Sequence, residues 1–213
     1  MSHEPEYVRG AKAAIHFDGK RCIHSRQCVL RQPAVFKANV EGAWIDPDAA
    51  SPDALLEVAH NCPSGAITIE RFDGGLQEAP PAVNLITVRE NGPLAFHAEL
   101  SIGGQSSGFR ATLCRCGQSQ AKPFCDGAHA AAQFSATGEP PTTPSQPLGS
   151  RNGPVKVSPA PNGPLLVTGN VEIISGTGRT INRTPSTALC RCGASSNKPY
   201  CDGSHARIGF AAP

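Results

Sequence analysis

The apolar residues of this chain fall into short segments separated by turns rich in glycine, proline, asparagine and aspartate. In the first third, residues 13–17 are predicted as a strand, and residues 66–70 as a second strand whose two isoleucines share a face. Between them, Ser51 is predicted to cap a helix over 52–61. The side of this helix predicted to be buried consists of Leu55, Leu56, Val58 and Ala59. The pattern predicts a small α/β unit.

From residue 83 onward, one pattern of strands and turns occurs twice. The first copy comprises a strand over 83–89 with Leu85 and Thr87 on its apolar face, a turn, a strand over 94–102 and a loop at 103–108. The second copy comprises a strand at 155–157, a turn at 162–164, a strand at 165–174 and a loop at 176–178. The stretches 73–82 and 135–154 have linker composition, and the second is predicted to be flexible and partly extended.

Composition favours small modules over one large core. Among 213 residues there are 22 glycines and 20 prolines, and aromatic residues make up only 5%. Small modules with few large apolar side chains need additional cross-links, and bound clusters can provide them. The net charge of +2 is too small to indicate nucleic acid or an anionic membrane as partner.

The cysteines indicate cofactor sites rather than disulfides. There are nine of them, an odd number, and they occur in three groups of three. The chain starts without a basic and apolar leader, and it has no apolar run of membrane-spanning length. These features predict a cytoplasmic protein with three cofactor sites.

Each repeat ends in a sixteen-residue motif, C-x-C-x2-S-x3-P-x-C-D-G-[AS]-H, which starts at 114 and again at 190. Cysteines two apart share a face of an extended segment, and a Cys and a His four apart share a helix face. Asp126 is predicted to cap that helix, whose N-terminus would face the site. The candidate ligands are Cys114, Cys116, Cys125 and His129 in the first copy, and Cys190, Cys192, Cys201 and His205 in the second. This donor set suits zinc as well as iron–sulfur chemistry.

Both motifs resemble the CDGSH signature of the NEET family, which includes mitoNEET. The resemblance implies one [2Fe-2S] cluster per motif, with the paired cysteines on the inner iron and Cys125 and His129, or Cys201 and His205, on the outer iron. Ala128 stands where the family name has serine, which removes a hydroxyl but no ligand.

The N-terminal cysteines are Cys22, Cys28 and Cys62. Ser25 is predicted to cap a short helix that ends at residue 31. The order of strand, cysteine loop, two helices, Cys-Pro and strand resembles a divergent one-cluster bacterial ferredoxin, with Ser25 at the middle cysteine position. Three thiolates imply a [3Fe-4S] cluster, and a [4Fe-4S] cluster is the alternative if Ser25, His24 or water supplies the fourth ligand.

The predicted fold is α+β, with a ferredoxin-like domain at 1–75 and CDGSH domains at 82–134 and 150–213. Each repeat is too small for a core of its own, and NEET proteins pair two chains. The repeats are therefore predicted to pair as an intramolecular pseudo-dimer, which gives a monomeric protein.

The predicted function is electron transfer between clusters and an unidentified redox partner. Cluster storage, sensing or transfer to an acceptor protein is the alternative, and a purely structural metal module is a third. No nucleotide fingerprint or catalytic triad is present, since Gly176-Thr177-Gly178 lacks the third glycine, so no enzymatic activity is predicted. Neither nucleic acid nor a membrane is expected as a partner.

Overall fold

A computed structural model describes residues 5–213, which form two compact units that divide between Ala79 and Pro80. The strands are β1 (Glu6–Arg9), β2 (Ala13–Phe17), β3 (Ile67–Arg71), β4 (Leu85–Val88), β5 (Leu94–His97), β6 (Glu99–Ile102), β7 (Gln105–Ser106), β8 (Arg110–Leu113), β9 (Pro154–Pro159), β10 (Leu165–Ile174) and β11 (Thr180–Leu189). The helices are α1 (Gln27–Arg31), α2 (Pro52–Asn61), α3 (Ala128–Ala131) and α4 (Ser204–Arg207), with a 3₁₀ turn at Pro47–Ala49. None of the helices within 5–213 has the length and apolar character needed to cross a membrane.

The first unit is a three-stranded antiparallel sheet in the order β1-β2-β3, with α2 packed against it. As predicted, α2 begins after Ser51, whose hydroxyl accepts a hydrogen bond from the Ala54 N–H at 3.3 Å. Leu55, Val58 and Ala59 are buried, whereas Leu56 is only partly buried. β1 was not predicted from the sequence; it pairs with β2 along the edge of the sheet.

The second unit is built on one eight-stranded sheet to which both repeats contribute. The predicted strand over 94–102 is in fact two strands, β5 and β6, which separate at the buried Ala98. β5 pairs with β4 and β8 of its own repeat, whereas β6 pairs in parallel with β9 of the other repeat. The reason for the break is therefore that the two halves of the segment have different partners.

The second repeat shows the same division in its equivalent strand, β10. Its first half pairs with β9 of its own repeat, and its second half pairs in parallel with β4 of the first repeat. A register shift between Thr168 and Val171 separates the two halves. Each repeat thus contributes a strand that pairs with a strand of the other repeat within the one sheet.

The core of this unit lies on the sheet and is shared by both repeats. In β4, Ile86 and Val88 are fully buried, so the prediction that Leu85 and Thr87 form the buried face is wrong. The other side of β4, with Leu85 and Thr87, is partly exposed. The predicted connector is extended and bonded along β11, which the sequence did not predict, since the Thr143 N–H donates to the Ile181 carbonyl at 2.8 Å.

Candidate metal centres

In the first repeat, the chain after β8 turns back and brings the third cysteine beside the first two. The Cys114 N–H donates to the Pro123 carbonyl at 2.8 Å, and the Cys125 N–H donates to the Thr112 carbonyl at 2.9 Å. The sulfur atoms of Cys114 and Cys116 lie 3.7 Å apart. Sulfur of Cys125 and Nδ1 of His129 lie 3.4 Å apart. The four predicted ligands therefore occur as two close donor pairs on neighbouring segments.

The Cys125–His129 pair is formed by a turn rather than by a shared helix face. Helix α3 begins only at Ala128, and its N-cap is Gly127, with φ 86°, so the predicted cap by Asp126 is wrong. The Asp126 carboxylate instead accepts hydrogen bonds from the N–H groups of Gln120 and Ala128, at 2.7 and 3.0 Å. It connects the ligand loop to the start of the helix. A left-handed conformation at this cap requires glycine, which accounts for the Asp-Gly pair.

The second repeat has the same arrangement. The sulfur atoms of Cys190 and Cys192 are 3.7 Å apart, and the Cys201 N–H donates to the Ala188 carbonyl at 2.9 Å. His205 is the second residue of α4, which begins directly after the Asp202-Gly203 turn. Ser195, like Ser119 in the first repeat, donates its hydroxyl across the loop to a carbonyl at 2.6 Å.

The arginine between the paired cysteines is buried in both repeats. Arg115 is 1% exposed and donates to the carbonyls of Gly92, Arg89, Ala136 and Thr137. Arg191 is 0% exposed and donates to the carbonyls of Gly163, Ala160 and Pro213. Burial lowers the pKa of Arg115 to about 10, so the guanidinium is still charged at neutral pH. Each repeat therefore holds a buried positive charge that acts on a thiol of the other repeat, Arg115 on Cys190 and Arg191 on Cys114.

The two repeats meet at their inner cysteines. Cys116 and Cys192 form an antiparallel β-bridge. A Cβ added to Gly117 would lie 2.4 Å from the Cys192 carbonyl oxygen, and one added to Gly193 would lie 2.4 Å from that of Cys116. The ammonium groups of Lys122 and Lys198 each lie 6.0 Å from a phenylalanine ring of the other repeat, Phe210 and Phe134 respectively. Both lysines also donate to a loop carbonyl at 2.5 Å, so they are not simply solvated.

In the first unit, the three remaining cysteines line one cavity of about 290 Å³, together with His24, Ser25 and Trp44. Ser25 does not cap α1, because the N-cap is Arg26 in a left-handed conformation without a side-chain hydrogen bond. The prediction of a capping role for Ser25 is therefore wrong. Its side chain is exposed and belongs to the cavity lining.

The cysteine thiols have pKa values shifted in both directions from the ordinary value. Burial raises the pKa of Cys125 to about 11, and it also raises the pKa of Cys22 and Cys28. The hydrogen bond between Cys114 and Cys116 lowers the pKa of Cys114 to about 6. None of the nine cysteines is in a disulfide, and their soft sulfur donors suit iron–sulfur clusters. Within 5–213, no group of three or more His, Cys, Asp or Glu side chains is spaced to hold a single metal ion.

Comparison with known proteins finds two families along the chain. The family described as iron-binding zinc finger CDGSH type matches residues 85–130 and 162–206, and the family described as divergent 4Fe-4S mono-cluster matches residues 8–71. The chain carries two CDGSH segments after a ferredoxin-like domain. The ferredoxin-like domain is also 38% identical over 60 residues to Ferredoxin-2 of Streptomyces griseolus. That match covers 94% of the ferredoxin and 26% of this chain.

Sequence reasoning assigned no role to several residues that build the CDGSH sites. They are the buried arginines, the glycines at the contact between repeats, the loop serines and the aromatic residues next to the lysines: Arg115, Arg191, Gly117, Gly193, Ser119, Ser195, Phe134 and Phe210. All of them recur at the constant offset of 76 residues that also relates the ligands. An alignment of the two copies at that offset, which shows the same residue in both, would have identified them.

Proposed function

We propose that this chain is an electron carrier that holds two [2Fe-2S] clusters and one [3Fe-4S] or [4Fe-4S] cluster. When bound, such clusters accept and release single electrons. The observation that carries the proposal is the arrangement of donors in the first CDGSH segment, with pairs 3.7 and 3.4 Å apart. Two ligands per iron is the requirement of a [2Fe-2S] centre held by four side chains.

The residues around these donors favour retention of an anionic group. Arg115 and Arg191 supply buried positive charge that neither pH nor solvent removes near neutrality. N–H groups point at ligand sulfur, from Gln118 to Cys116 and from Gly127 to Cys125, each at 3.4 Å. Such hydrogen bonds and nearby positive charge raise the reduction potential, because they stabilise the added electron.

The cluster type in the ferredoxin-like domain depends on the fourth iron ligand. The three thiols share a cavity with Ser25 and His24, and a serine or histidine is a weaker choice for iron than a thiolate. We therefore propose a [3Fe-4S] cluster as the first choice for this domain and a [4Fe-4S] cluster as the second. The relatives of this domain are a ferredoxin and a 4Fe-4S mono-cluster family, which supports a role in electron transfer.

We further propose that the two CDGSH repeats act as the intramolecular equivalent of a dimer. The support is the parallel pairing of β4 with β10 and of β6 with β9, together with the bridge between Cys116 and Cys192. Native mass spectrometry of the iron-loaded protein is expected to find one chain. A stable dimer of whole chains as the sole species would contradict this assignment.

The proposal is tested by redox titration followed by electron paramagnetic resonance on anaerobically purified protein. We expect signals of two cluster types, reversible reduction, and iron and sulfide contents that match three clusters. A colourless protein containing only zinc would refute it. Loss of the clusters on every reduction cycle would refute the carrier role alone.

Cluster donation is the second candidate, because His129 and His205 are partly exposed ligands whose nitrogen is open to protons. Incubation with an apo-ferredoxin, followed by native gel and visible spectroscopy, distinguishes it. Transfer faster than spontaneous loss would favour a donor, and no transfer would favour the carrier. In both cases we propose a binding protein rather than an enzyme, with a partner in the cytoplasm.

A further inference from the structure

Positive charge is concentrated around the cysteine loop of the ferredoxin-like domain. Residues 19–40 contain five lysines and arginines and no aspartate or glutamate. Two of these cations are partly neutralised, since Arg31 pairs with Glu57 at 3.2 Å and Lys37 pairs with Asp46 at 3.3 Å. Lys20 and Arg26 are exposed and stand on either side of Cys22 and Ser25 in sequence. The loop that surrounds the thiols is therefore the cationic part of the ferredoxin-like domain.

A groove of about 630 Å³ lies beside the cavity formed by the three cysteines. His24, Arg26, Val29 and Trp44 line both the groove and the cavity, so one layer of side chains separates them. Lys37 lines the outer part of the groove, and no acidic residue belongs to its lining. Glu41 is exposed in the adjacent turn and is the nearest acidic group in sequence. A partner seated in the groove would lie close to the electron-accepting site.

The backbone around this groove adopts conformations that non-glycine residues seldom take. His24, Arg26 and Asn39 all line it and have φ values of 54°, 61° and 58°. The left-handed region is tolerated by asparagine and histidine but is uncommon for arginine, and such strain is concentrated at functional sites. Leu30 and Val40 are exposed nearby, at 67% and 45%. Exposed apolar side chains beside positive charge are typical of a protein interface.

We propose that this groove is the docking surface for an acidic protein that exchanges electrons with the N-terminal cluster. The inference rests on the proposed carrier function. Arg26 would contribute most, because its side chain is exposed, lines both cavities and belongs to the loop between two ligands. Complementary charge of this kind mainly accelerates association, and its effect decreases with salt.

The test uses full-length, iron-loaded protein and two probes of known charge. Anionic hexacyanoferrate(III) and cationic hexaamminecobalt(III) each oxidise the reduced protein in a rapid-freeze experiment, and the signal of the N-terminal cluster is followed by electron paramagnetic resonance. We expect the rate with hexacyanoferrate to fall roughly tenfold in Arg26→Glu at low salt, and the difference to disappear at high salt. The rate with hexaamminecobalt should change in the opposite direction.

Lys12→Glu provides the matched control. Lys12 is an exposed cation of the same domain that precedes β2, and the groove lies beyond the other end of that strand. Lys12→Glu should leave the oxidation rates with both probes unchanged. Arg26→Gly serves as a second variant if Arg26→Glu does not fold, since glycine accepts the left-handed conformation while the charge is lost. Equal effects of Arg26→Glu and Lys12→Glu would overturn the docking surface.

A binding measurement separates this inference from the carrier function. Poly-L-glutamate is titrated into the oxidised protein at low salt by calorimetry, and we expect binding that Arg26→Glu weakens and Lys12→Glu does not. If the clusters fail to reduce reversibly but this pattern holds, the carrier function fails and the acidic docking surface stands. If reduction is reversible but single-stranded DNA binds in place of poly-L-glutamate, or neither binds, the docking inference fails alone.

Discussion

At the scale of single residues, the two histidines set the CDGSH sites apart from all-cysteine clusters. Imidazole is neutral where thiolate is negative, so it raises the reduction potential, and protons compete with iron for its nitrogen. In the first repeat, Nδ1 of His129 lies 3.4 Å from the sulfur of Cys125, the distance of two ligands on one atom.

The first prediction is that changing His129 and His205 to cysteine slows loss of the [2Fe-2S] clusters in weak acid. The same changes should lower the potential by roughly 100 mV or more, since thiolate adds negative charge. Visible absorption at decreasing pH and redox titration measure the two effects. His60→Cys at the exposed end of α2 is the control. Unchanged acid loss would remove the histidines from the ligand set.

The second prediction concerns the buried arginine of the first repeat. Arg115→Met removes the side-chain donor of the Gly92 and Thr137 carbonyls, whereas the carbonyls of Arg89 and Ala136 keep the backbone N–H groups of Gly92 and Asn91. Each unsatisfied group costs about 1–3 kcal/mol, so we expect a destabilisation of roughly 2 kcal/mol or more. Thermal unfolding of the second unit followed by circular dichroism measures it. Arg89→Met, whose side chain is exposed, should have little effect, and equal effects would contradict the role given to Arg115.

At the scale of elements, an aspartate connects the ligand loop to the helix that carries the histidine, because its carboxylate accepts hydrogen bonds from both segments. In the second repeat, Asp202 accepts hydrogen bonds from the N–H groups of Ser196 and Ser204, at 2.9 and 3.0 Å. Hydrogen bonds from these two serines lower the pKa of the Asp202 carboxyl below its usual range. The carboxylate therefore stabilises the fold above about pH 4, and this contribution is lost only as pH falls further, through the lowered pKa.

The third prediction follows from the pH range in which Asp202 is ionised. Asp202→Asn should accelerate cluster loss at pH 7, because an amide nitrogen would face a backbone donor where an acceptor is needed. In the unchanged protein, Asp202 stays ionised between pH 7 and 5, so it does not cause cluster loss in that range. Absorbance decay at pH 7 measures the effect, with the exposed Glu99→Gln as control. Decay as slow as in the control would show that this attachment is dispensable.

The elements also show where sequence reasoning succeeded and where it failed. Helix α2 was predicted to the residue, because Ser51, Pro52 and the apolar spacing are local signals that agree. Ser25 carried the same capping signal, but the chain there folds around the cysteine cavity, and Arg26 occupies the cap position. The break between β5 and β6 had no local signal, since it depends on a strand of the other repeat.

At the scale of the whole molecule, the contact between repeats requires glycine. Gly117 and Gly193 have φ values of 82° and 86°, and each lies against a cysteine carbonyl of the other repeat. The fourth prediction is that Gly117→Ala lowers the thermal stability of the second unit and impairs incorporation of both [2Fe-2S] clusters. A methyl group there would meet the Cys192 oxygen at 2.4 Å, and the sheet cannot separate locally.

Gly178→Ala is the matched control. Gly178 has a φ of 92°, but a Cβ there meets nothing within 4 Å. It should cost only the roughly 1–2 kcal/mol of a left-handed alanine and leave cluster content unchanged. Differential scanning calorimetry and iron analysis compare the two variants. If both lose the same stability and the same iron, the close approach of the repeats has no energetic importance.

The sequence by itself determined that two CDGSH segments follow a ferredoxin-like domain, because a motif with fixed spacing is a local property, and the CDGSH motif repeats at a constant offset of 76 residues. It also determined α2 and the strands of the first unit that carry alternating apolar residues. The tertiary structure decided which strands pair, since the pairing of β6 with β9 joins residues 55 positions apart and that of β4 with β10 joins residues 87 positions apart. It also decided that the arginines between the ligands are buried, because the carbonyls that hold them come from distant turns.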